Sequence, residues 1–578
     1  MQNKNLTGYP SIDKPWLKHY SEEAINAQPP ECCIYDYIYR ANANNMNSRA
    51  INYCGKKITY KKMFERIDET AKAFLNIGIK QGDVVSLCML TMPETIYTIY
   101  ALNRLGAIPN IIEPRTNPDN IKKRIINTKS NVLVVADVFI DKIKKIYKDS
   151  NLKKVIVVPV SYSMPIYKKM YLKLFKGNLI AKTPNEKCFI EWSDFFNNIG
   201  GIKLYKPYYK KDSPAVIVYT GGTTGGGKGA VLSNDSFTAM ATQVLKGAPK
   251  LFSGKVFLEI MPPFIAYGLV FGHFLPFCAK LENCLIPIFN PEKFADYVLK
   301  NNPNHIVGVP TFFESLADSK KLKHKNIGYL ISCIAGGDRL LISSEEHINT
   351  VYKEHGCVNR ITKGYGMTEM GSAATFTVSD KCNLPGSVGV PCPFVNIKAI
   401  NPDSGEELPY NQQGEICMTS PTMMLQYFNN MEETNKVMKM HTDGKIWIHT
   451  GDIGYITEDG VVFIVDRIKR MIIRPDGHNV FPSLIEEVLS KHPLVENCAV
   501  VGVANPDNKS GQIPTAFIQL KKNDKENEQV LKGLKLYCKE HLPERDTPMR
   551  YNLIDKIPLT AIGKVDYRTL ENKKTTKE

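Results

Sequence analysis

From Asn52 to about Asp212 short apolar runs alternate with helix-length amphipathic stretches, and a chain with this rhythm buries its strands by laying them in a mostly parallel sheet covered with helices. The runs at 84–90 and 132–136 read as strands. Between them, 95–105 carries apolar residues at three- and four-residue spacing and reads as a helix. Strand-like runs recur at 155–158, 215–219, 306–309, 329–334 and 396–400, separated by helix-length segments. Near Gly451 the pattern changes. Strands are expected at 461–465 and 471–474 with a short crossing at Asp466, then a helix over 483–491, strands at 498–503 and 515–520, a polar linker and a final helix. The expected fold is α/β: a large N-terminal domain of helix-covered, mostly parallel sheets with a small β subdomain over residues 1–465, and a small mobile α+β domain over 466–578.

Composition narrows the class. The 578 residues are 43% hydrophobic and 23% charged, which excludes disordered, collagenous and disulfide-scaffold chains. No apolar run reaches the length of a membrane span, and the most hydrophobic stretch, 268–279, carries His273. The opening residues lack a basic then apolar secretory pattern, so a cytoplasmic location is expected. The 14 cysteines show no CxxC pair and no Cys/His cluster at zinc-ligand spacing; they are expected to be reduced thiols, with no structural metal. Against 58 acidic residues stand 74 Lys and Arg, a net charge of +16, which suits anionic partners such as nucleotides, phosphates or acidic membranes. Nucleic acid is not expected, because no RNP-like motif, zinc-finger spacing or basic helix with heptads is present.

Thr220 to Lys228 places five glycines, three threonines and a lysine directly after a strand-like run. Glycines let main-chain N–H groups face an anion without a Cβ in the way, hydroxyls add donors, and Lys228 adds charge. Gly222 to Lys228 also satisfies the GxxxxGK spacing of a Walker loop. That match fails at the next residue, Gly229, where Ser or Thr would hold Mg²⁺, and AVLS after it reads as strand before any helix begins.

The order of residues is instead similar to the phosphate loop of the adenylate-forming superfamily, which includes acyl-CoA synthetases, peptide-synthetase adenylation domains and luciferases. The resemblance continues through YGMTE at Tyr365 to Glu369, TGD at Thr450 to Asp452, DRIK at Asp466 to Lys469 and GKVDY at Gly563 to Tyr567, and covers about Ile58 to Tyr567. It implies roles. Thr220, Gly221, Gly222, Thr223, Thr224, Gly225 and Lys228 would cradle the β- and γ-phosphates of ATP. Ala335, Gly336, Gly337 and Asp338 would form a wall for adenine; Gly364, Tyr365 and Gly366 would complete it, with Tyr365 packed on the base. Thr368 would touch the α-phosphate and Glu369 would bind Mg²⁺, a hard-oxygen ligand for a hard cation. Asp452 would accept from both ribose hydroxyls with Arg467 completing the grip, and Lys564 would bridge the attacking carboxylate and the α-phosphate. Asp466 would be the hinge about which the small domain turns between adenylation and thiol attack, presenting the face 472–482 to pantetheine. Each motif also has a plain structural reading as a turn, helix cap or ion pair; their order lifts them.

Departures bear on affinity. Gly221 stands where Ser is usual in the family and Gly227 where Pro is usual, so a more flexible loop and weaker ATP binding are expected; the segment RPDGHNVFP looks about one residue longer than the usual turn. At the position where peptide synthetases carry an Asp for the substrate ammonium, this chain has Ile265, which disfavours an amino acid. Phe264, Ile265, Ala266, Tyr267 and Gly268, with Gly371 to Ala374 and Ala373 among them, are expected either to line an apolar acyl pocket or to be core packing. The expected substrate is a medium- or long-chain fatty acid, with an aryl acid the alternative, and the cofactors are ATP, Mg²⁺ and coenzyme A. A carrier protein's phosphopantetheine arm is the alternative acceptor, and a catalytically silent nucleotide-binding protein is the reading from a different class. A monomer or homodimer is expected. Residues 164–177 form an amphipathic lysine-rich helix, read first as packing its apolar stripe inward and second as a weak peripheral contact with an anionic membrane.

Overall fold

The computed structural model describes residues 6–175, 183–221, 227–474, 476, 478–504, 511–521, 528–560 and 563–573. Two large sheets make the frame. The first runs parallel through Arg49–Tyr53, Glu282–Leu285, Val256–Glu259, His305–Gly308, Ser332–Ala335 and Thr362–Met367. Antiparallel strands close its edges, Lys56–Thr59 at one and Ser372–Phe376 with Val390–Pro391 at the other. The second runs parallel through Pro214–Tyr219, Ile108–Ile111, Val84–Cys88, Val132–Ala136, Lys154–Val158 and Phe189–Glu191. The expected α/β class is therefore the observed one, and its strands are near-continuous apolar runs because both faces are covered.

One continuous core takes in side chains from both sheets and the helices between them. Its most enclosed helix is Pro93–Arg104, in which every residue from Pro93 to Asn103 is buried. A helix hidden all round must satisfy its polar groups locally. Thr98 donates to the Glu94 carbonyl at 2.7 Å, Thr95 to the Leu90 carbonyl at 2.6 Å, and the Ser163 hydroxyl caps the Glu94 carboxyl. Burial pushes that carboxyl up to about 7. After the glycine-rich loop, Gly229–Ser233 returns antiparallel to Pro214–Tyr219, and Ser233 ends the strand by capping the helix Asn234–Gly247 in a reciprocal capping box with Ser236. A strand, not a helix, follows the loop, so the Walker arrangement is absent.

A third sheet joins Asn396–Ile400, Gly414–Thr419, Ile446–Ile456 and Met438–Met440, with Val462–Arg467 on the long strand. Beyond it, Val495–Ala504, Gln512–Leu520 and Arg550–Leu553 form a small sheet. Helices Pro482–Ser490 and Glu528–His541 share one core with it, and Tyr567–Glu571 contributes to a second.

Several expectations are corrected. The strand expected at 461–465 runs as Val462–Arg467, so Asp466 is paired with Ile453 inside the ladder instead of forming a crossing after it. The strand expected at 471–474 shrinks to Ile472–Ile473, that at 329–334 to Ser332–Ala335, and Glu528–His541 is followed by one more short helix. The helix Ile166–Phe175 does not turn its apolar stripe inward: Ile166 is 77% and Leu174 72% exposed, with Tyr167, Met170 and Tyr171 also more than half exposed. It rests beside the turn after Arg49–Tyr53, where Lys168 donates to the Cys54 carbonyl at 2.7 Å.

The strand Thr362–Met367 is pinned by a buried ion pair. Lys363 Nζ lies 2.7 and 2.8 Å from the two oxygens of Glu345, both residues buried, and 2.8 Å from the Leu384 carbonyl. Desolvation lowers the lysine's pKa, with Glu345 opposing it. Arg360, half-exposed, lies 3.7 Å from the same carboxylate. Lys363→Met should therefore destabilise the fold by about 3 kcal/mol, because it leaves the buried carboxylate only that more distant partner, whereas the Lys363→Met/Glu345→Leu double variant should recover most of that loss. Urea denaturation of the three proteins checks this; equal losses in single and double variants would contradict it.

Candidate active site

The motif residues converge at the C-terminal ends of the first sheet's strands, where parallel topology collects loops from distant stretches of chain. Tyr365 sits in Thr362–Met367, paired with Thr375 of the returning strand, and its N–H donates to Thr375 Oγ1 at 3.2 Å. Gly366 admits no side chain: a Cβ there would stand 1.8 Å from the Ser372 carbonyl oxygen. The Tyr365 hydroxyl donates to Asp452 Oδ2 at 2.5 Å, and Arg467 Nε lies 3.0 Å from Asp452 Oδ1. Asp452 and Arg467 are directly opposed in register on Ile446–Ile456 and Val462–Arg467, so the pair is set by the strand ladder itself. Asp452 is buried, and desolvation raises its pKa against the pull of Arg467 and Tyr365. Each carboxylate oxygen can accept two hydrogen bonds, which leaves one free site on each for the adjacent hydroxyls of a ribose.

Lys564 arrives from the far end of the sequence. Thr560 N–H donates to the Lys564 carbonyl at 2.7 Å and Lys564 N–H to Thr560 Oγ1 at 3.2 Å. Two bonds dock it. Thr311 Oγ1 donates to the Gly563 carbonyl at 3.1 Å and Val565 N–H to Asp338 Oδ2 at 3.3 Å. Gly563, at φ +85°, lies so close to Phe312 that a Cβ would meet the ring at 2.8 Å. Lys564 Cε is 3.6 Å from the Cβ position of Gly337, in the turn after Ser332–Ala335. Burial lowers the lysine's pKa, with Asp338 the leading opposing charge. Gly336, Gly337, Asp338, Tyr365, Asp452, Arg467 and Lys564 therefore form one neighbourhood.

The phosphate loop is described only at its ends. Thr220 N–H donates to the Lys228 carbonyl at 2.9 Å and Lys228 N–H to Thr220 Oγ1 at 3.1 Å, closing the neck; Gly222, Thr223, Thr224 and Gly225 lie outside the described residues. Lys228 ion-pairs with Glu433, and its Nζ is 4.9 Å from the Tyr427 ring centre. Lys228 and Lys436 together hold the Glu433 carboxyl down at about 2. Tyr427 in turn donates to Glu369 Oε1, tying Lys228's neighbourhood to the buried Glu369 in the turn Thr368–Met370. Motif order does not mark Tyr427, Glu433 or Thr311, because each acts through a contact with a residue far away in the chain.

The residues expected around the acid divide. Tyr267 donates to the Ile334 carbonyl at 3.0 Å and its hydroxyl lies 3.3 Å from where a Cβ of Gly336 would stand, so it borders the Gly336–Gly337 turn. Gly268 begins a π-helical turn, Gly268–Gly272, a geometry common at functional sites. Ala373 pairs with Gly366, and Gly371 precedes that strand. Phe264 is buried under the Arg115 guanidinium, 5.1 Å from its ring centre, while Ile265 is only half-buried. A surface cleft of about 610 Å³ is lined by residues such as Tyr37 and Thr242, none belonging to the motifs.

Residues 38–428 match the family model of AMP-binding enzymes and residues 484–564 that of the AMP-binding enzyme C-terminal domain. A long-chain-fatty-acid–CoA ligase of Bacillus subtilis (strain 168) is 27% identical, covering 97% of this chain and 98% of its own. The 4-coumarate–CoA ligase CCL1 of Humulus lupulus is 27% identical over 93% of this chain and 91% of its own. Among solved structures, ATP-bound MatB from Rhodopseudomonas palustris superimposes with a TM-score of 0.78 at 23% identity, covering 93% of this chain and 98% of that one. With two thirds of its length matched by one family model, and with Tyr365, Asp452, Arg467 and Lys564 gathered at one site, the chain belongs to the AMP-binding enzymes.

Proposed function

We propose that the protein is an AMP-forming acid–thiol ligase: a carboxylate attacks the α-phosphorus of ATP, pyrophosphate leaves, and the acyl group of the acyl-adenylate then passes to the thiol of coenzyme A with release of AMP. The observation that carries this reading is Lys564, brought from the last twenty residues to the turn Gly337–Asp338, beside the Asp452–Arg467–Tyr365 cluster. Asp452 and Arg467 would hold the ribose, Tyr365 would face adenine, and Lys228 would exchange Glu433 for the leaving phosphates. Lys564 would supply positive charge where it grows in the transition state, which is worth most in a site already shielded from water. Glu369, a buried carboxylate with one oxygen held by Tyr427, fits a hard divalent ion and would hold Mg²⁺, which when bound neutralises phosphate charge.

For the acid, a medium- or long-chain fatty acid is supported by Ile265 at the position of an ammonium partner and by the apolar set Phe264, Tyr267, Gly268 and Ala373. The names of the relatives keep both fatty and aryl acids in view. The domain boundary is placed at Asp466. Its carboxylate accepts from Arg467 N–H at 2.8 Å and from Ser483 N–H at 2.9 Å, so it holds the last ladder residues to the first helix of the small domain. A swing of that domain about Asp466 would withdraw Lys564 and bring the 472–482 face to the thiol.

A second reading concerns the surface. Among the described residues no helix is long and apolar enough to cross a membrane, but the exposed stripe Ile166, Tyr167, Met170 and Leu174 with Lys168 and Lys169 fits an anionic lipid surface. Ile166→Glu/Leu174→Glu should abolish co-sedimentation with vesicles containing phosphatidylglycerol while leaving activity on a soluble acid intact; unchanged co-sedimentation would overturn this reading.

The chemistry is tested by acid-dependent ATP–pyrophosphate exchange, with AMP release measured with and without coenzyme A. Lys564→Ala should slow exchange by about 10²–10³-fold. In the parent protein the rate should fall as pH rises through the Lys564 pKa, at lower pH than an exposed lysine would allow. Asp338→Asn should move that alkaline limb lower still by removing the anion that favours the ammonium, and Lys564→Arg should remove the limb. An alkaline limb identical in all three would exclude the role assigned to Lys564. Asp466→Pro should spare exchange and depress thioester formation; equal loss of both would exclude Asp466 as the hinge.

A further inference from the structure

The third sheet has two unlike faces. One, with Ile397, Ala399, Ile416, Met418 and Ile448, joins the main core. The other carries Lys398, Glu415, Cys417, Trp447 and His449 at alternating positions of three neighbouring strands. Cys417 and His449 are direct Cα partners across Gly414–Thr419 and Ile446–Ile456, and His441 follows Met438–Met440 on the next strand, held by its N–H to the Lys445 carbonyl at 3.0 Å. In sequence the three are 24 and 8 residues apart, outside any short metal-binding spacing, which is why no Cys/His cluster is visible before folding. The ladder brings them together: the thiol sulfur and one ring nitrogen from each histidine all lie within 4.8 Å of one another.

Two further contacts give this cluster the form of a metal site. His449 Nδ1 is 2.9 Å from Glu415 Oε2, which places its proton on Nδ1 and turns the lone pair of Nε2 toward His441. His441 Nε2 is 2.9 Å from His449 Nε2, near the roughly 3.3 Å expected between two nitrogens each about 2.05 Å from one tetrahedral ion. A carboxylate behind a ligating imidazole is the usual outer partner of such ligands, fixing the tautomer and ring orientation. Cys417 is buried and His449 nearly so, while the half-buried His441 on the hairpin leaves a path in. Lys398, the strand partner of Cys417, has its Nζ 4.2 Å from the Trp447 ring centre, and its positive charge favours the Cys417 thiolate and the neutral form of His441.

We propose that Cys417, His441 and His449 bind a divalent transition-metal ion of the zinc type, with Glu415 as the positioning residue behind His449. Binding breaks the Cys417 S–H bond and forms a metal–thiolate bond, releasing the proton to solvent, and both imidazoles bind neutral; water completes the fourth position. The site is separate from Glu369 and from the proposed chemistry, and does not rest on it. It does adjoin the nucleotide site: Glu415 Oε1 accepts from Gly451 N–H at 3.0 Å, one residue before Asp452.

The test uses the full chain, stripped with chelator under reducing conditions and titrated with Co²⁺, then Zn²⁺. One equivalent of Co²⁺ should give a near-ultraviolet thiolate-to-metal band with the visible bands of a tetrahedral ion, and Zn²⁺ should abolish both. Cys417→Ser should remove the thiolate band, and Glu415→Gln should weaken Co²⁺ binding about 10–100-fold while keeping it. His441→Gln, on the hairpin surface, should lose the stoichiometric site with unchanged circular dichroism, which separates lost binding from lost fold. No thiolate band in the parent protein, or the same band in Cys417→Ser, would overturn the proposal.

Discussion

A buried carboxylate organises the site. Asp452 is out of water, and an unpaired charge there would cost several kcal/mol, so its neighbours must compensate it. They come from two directions: Tyr365 from the first sheet and Arg467 from the adjoining strand of the third sheet. Satisfying one group thus fixes the first sheet against the third. Each carboxylate oxygen keeps one acceptor site unused by these two partners.

The other half of the site depends on close approach of backbone. Gly563 packs against Phe312 and Val565 N–H reaches Asp338, so the C-terminal turn meets the large sheet at the point where Lys564 lies beside Gly337. Surface charge at such a junction contributes little to stability, and burial draws the Lys564 ammonium out of water beside Asp338. Arg339 lies 3.6 Å from Glu487, and Ser343 Oγ donates to Ser490 Oγ at 3.1 Å, so the rest of the junction is polar. Such an interface suits parts that separate and re-form.

Much of this was legible beforehand. The parallel strand 132–136 matches its apolar run residue for residue, because a strand covered on both faces is apolar throughout, and the antiparallel strand 396–400 also keeps its expected bounds. The strand after the glycine-rich loop was readable from AVLS. Where reading failed, packing had overridden pattern. A short crossing was expected at Asp466, yet the residue pairs with Ile453 in the ladder while its carboxylate accepts from Arg467 N–H and Ser483 N–H. The helix Ile166–Phe175 looked like an ordinary amphipathic surface helix; nothing local says whether an apolar stripe finds a partner.

The sequence by itself determined the class of fold, the order of motifs and the residue types able to grip a nucleotide, because periodicity, turn chemistry and side-chain chemistry are local properties. Only the tertiary structure decided which of those residues meet. Tyr427 between Lys228 and Glu369, Lys363 on Glu345, and Cys417 opposite His449 are all pairings between distant positions. Strand register and sheet order create such pairings: a one-residue slip in register would turn Lys363 away from Glu345 and Cys417 away from His449, to the opposite faces of their sheets.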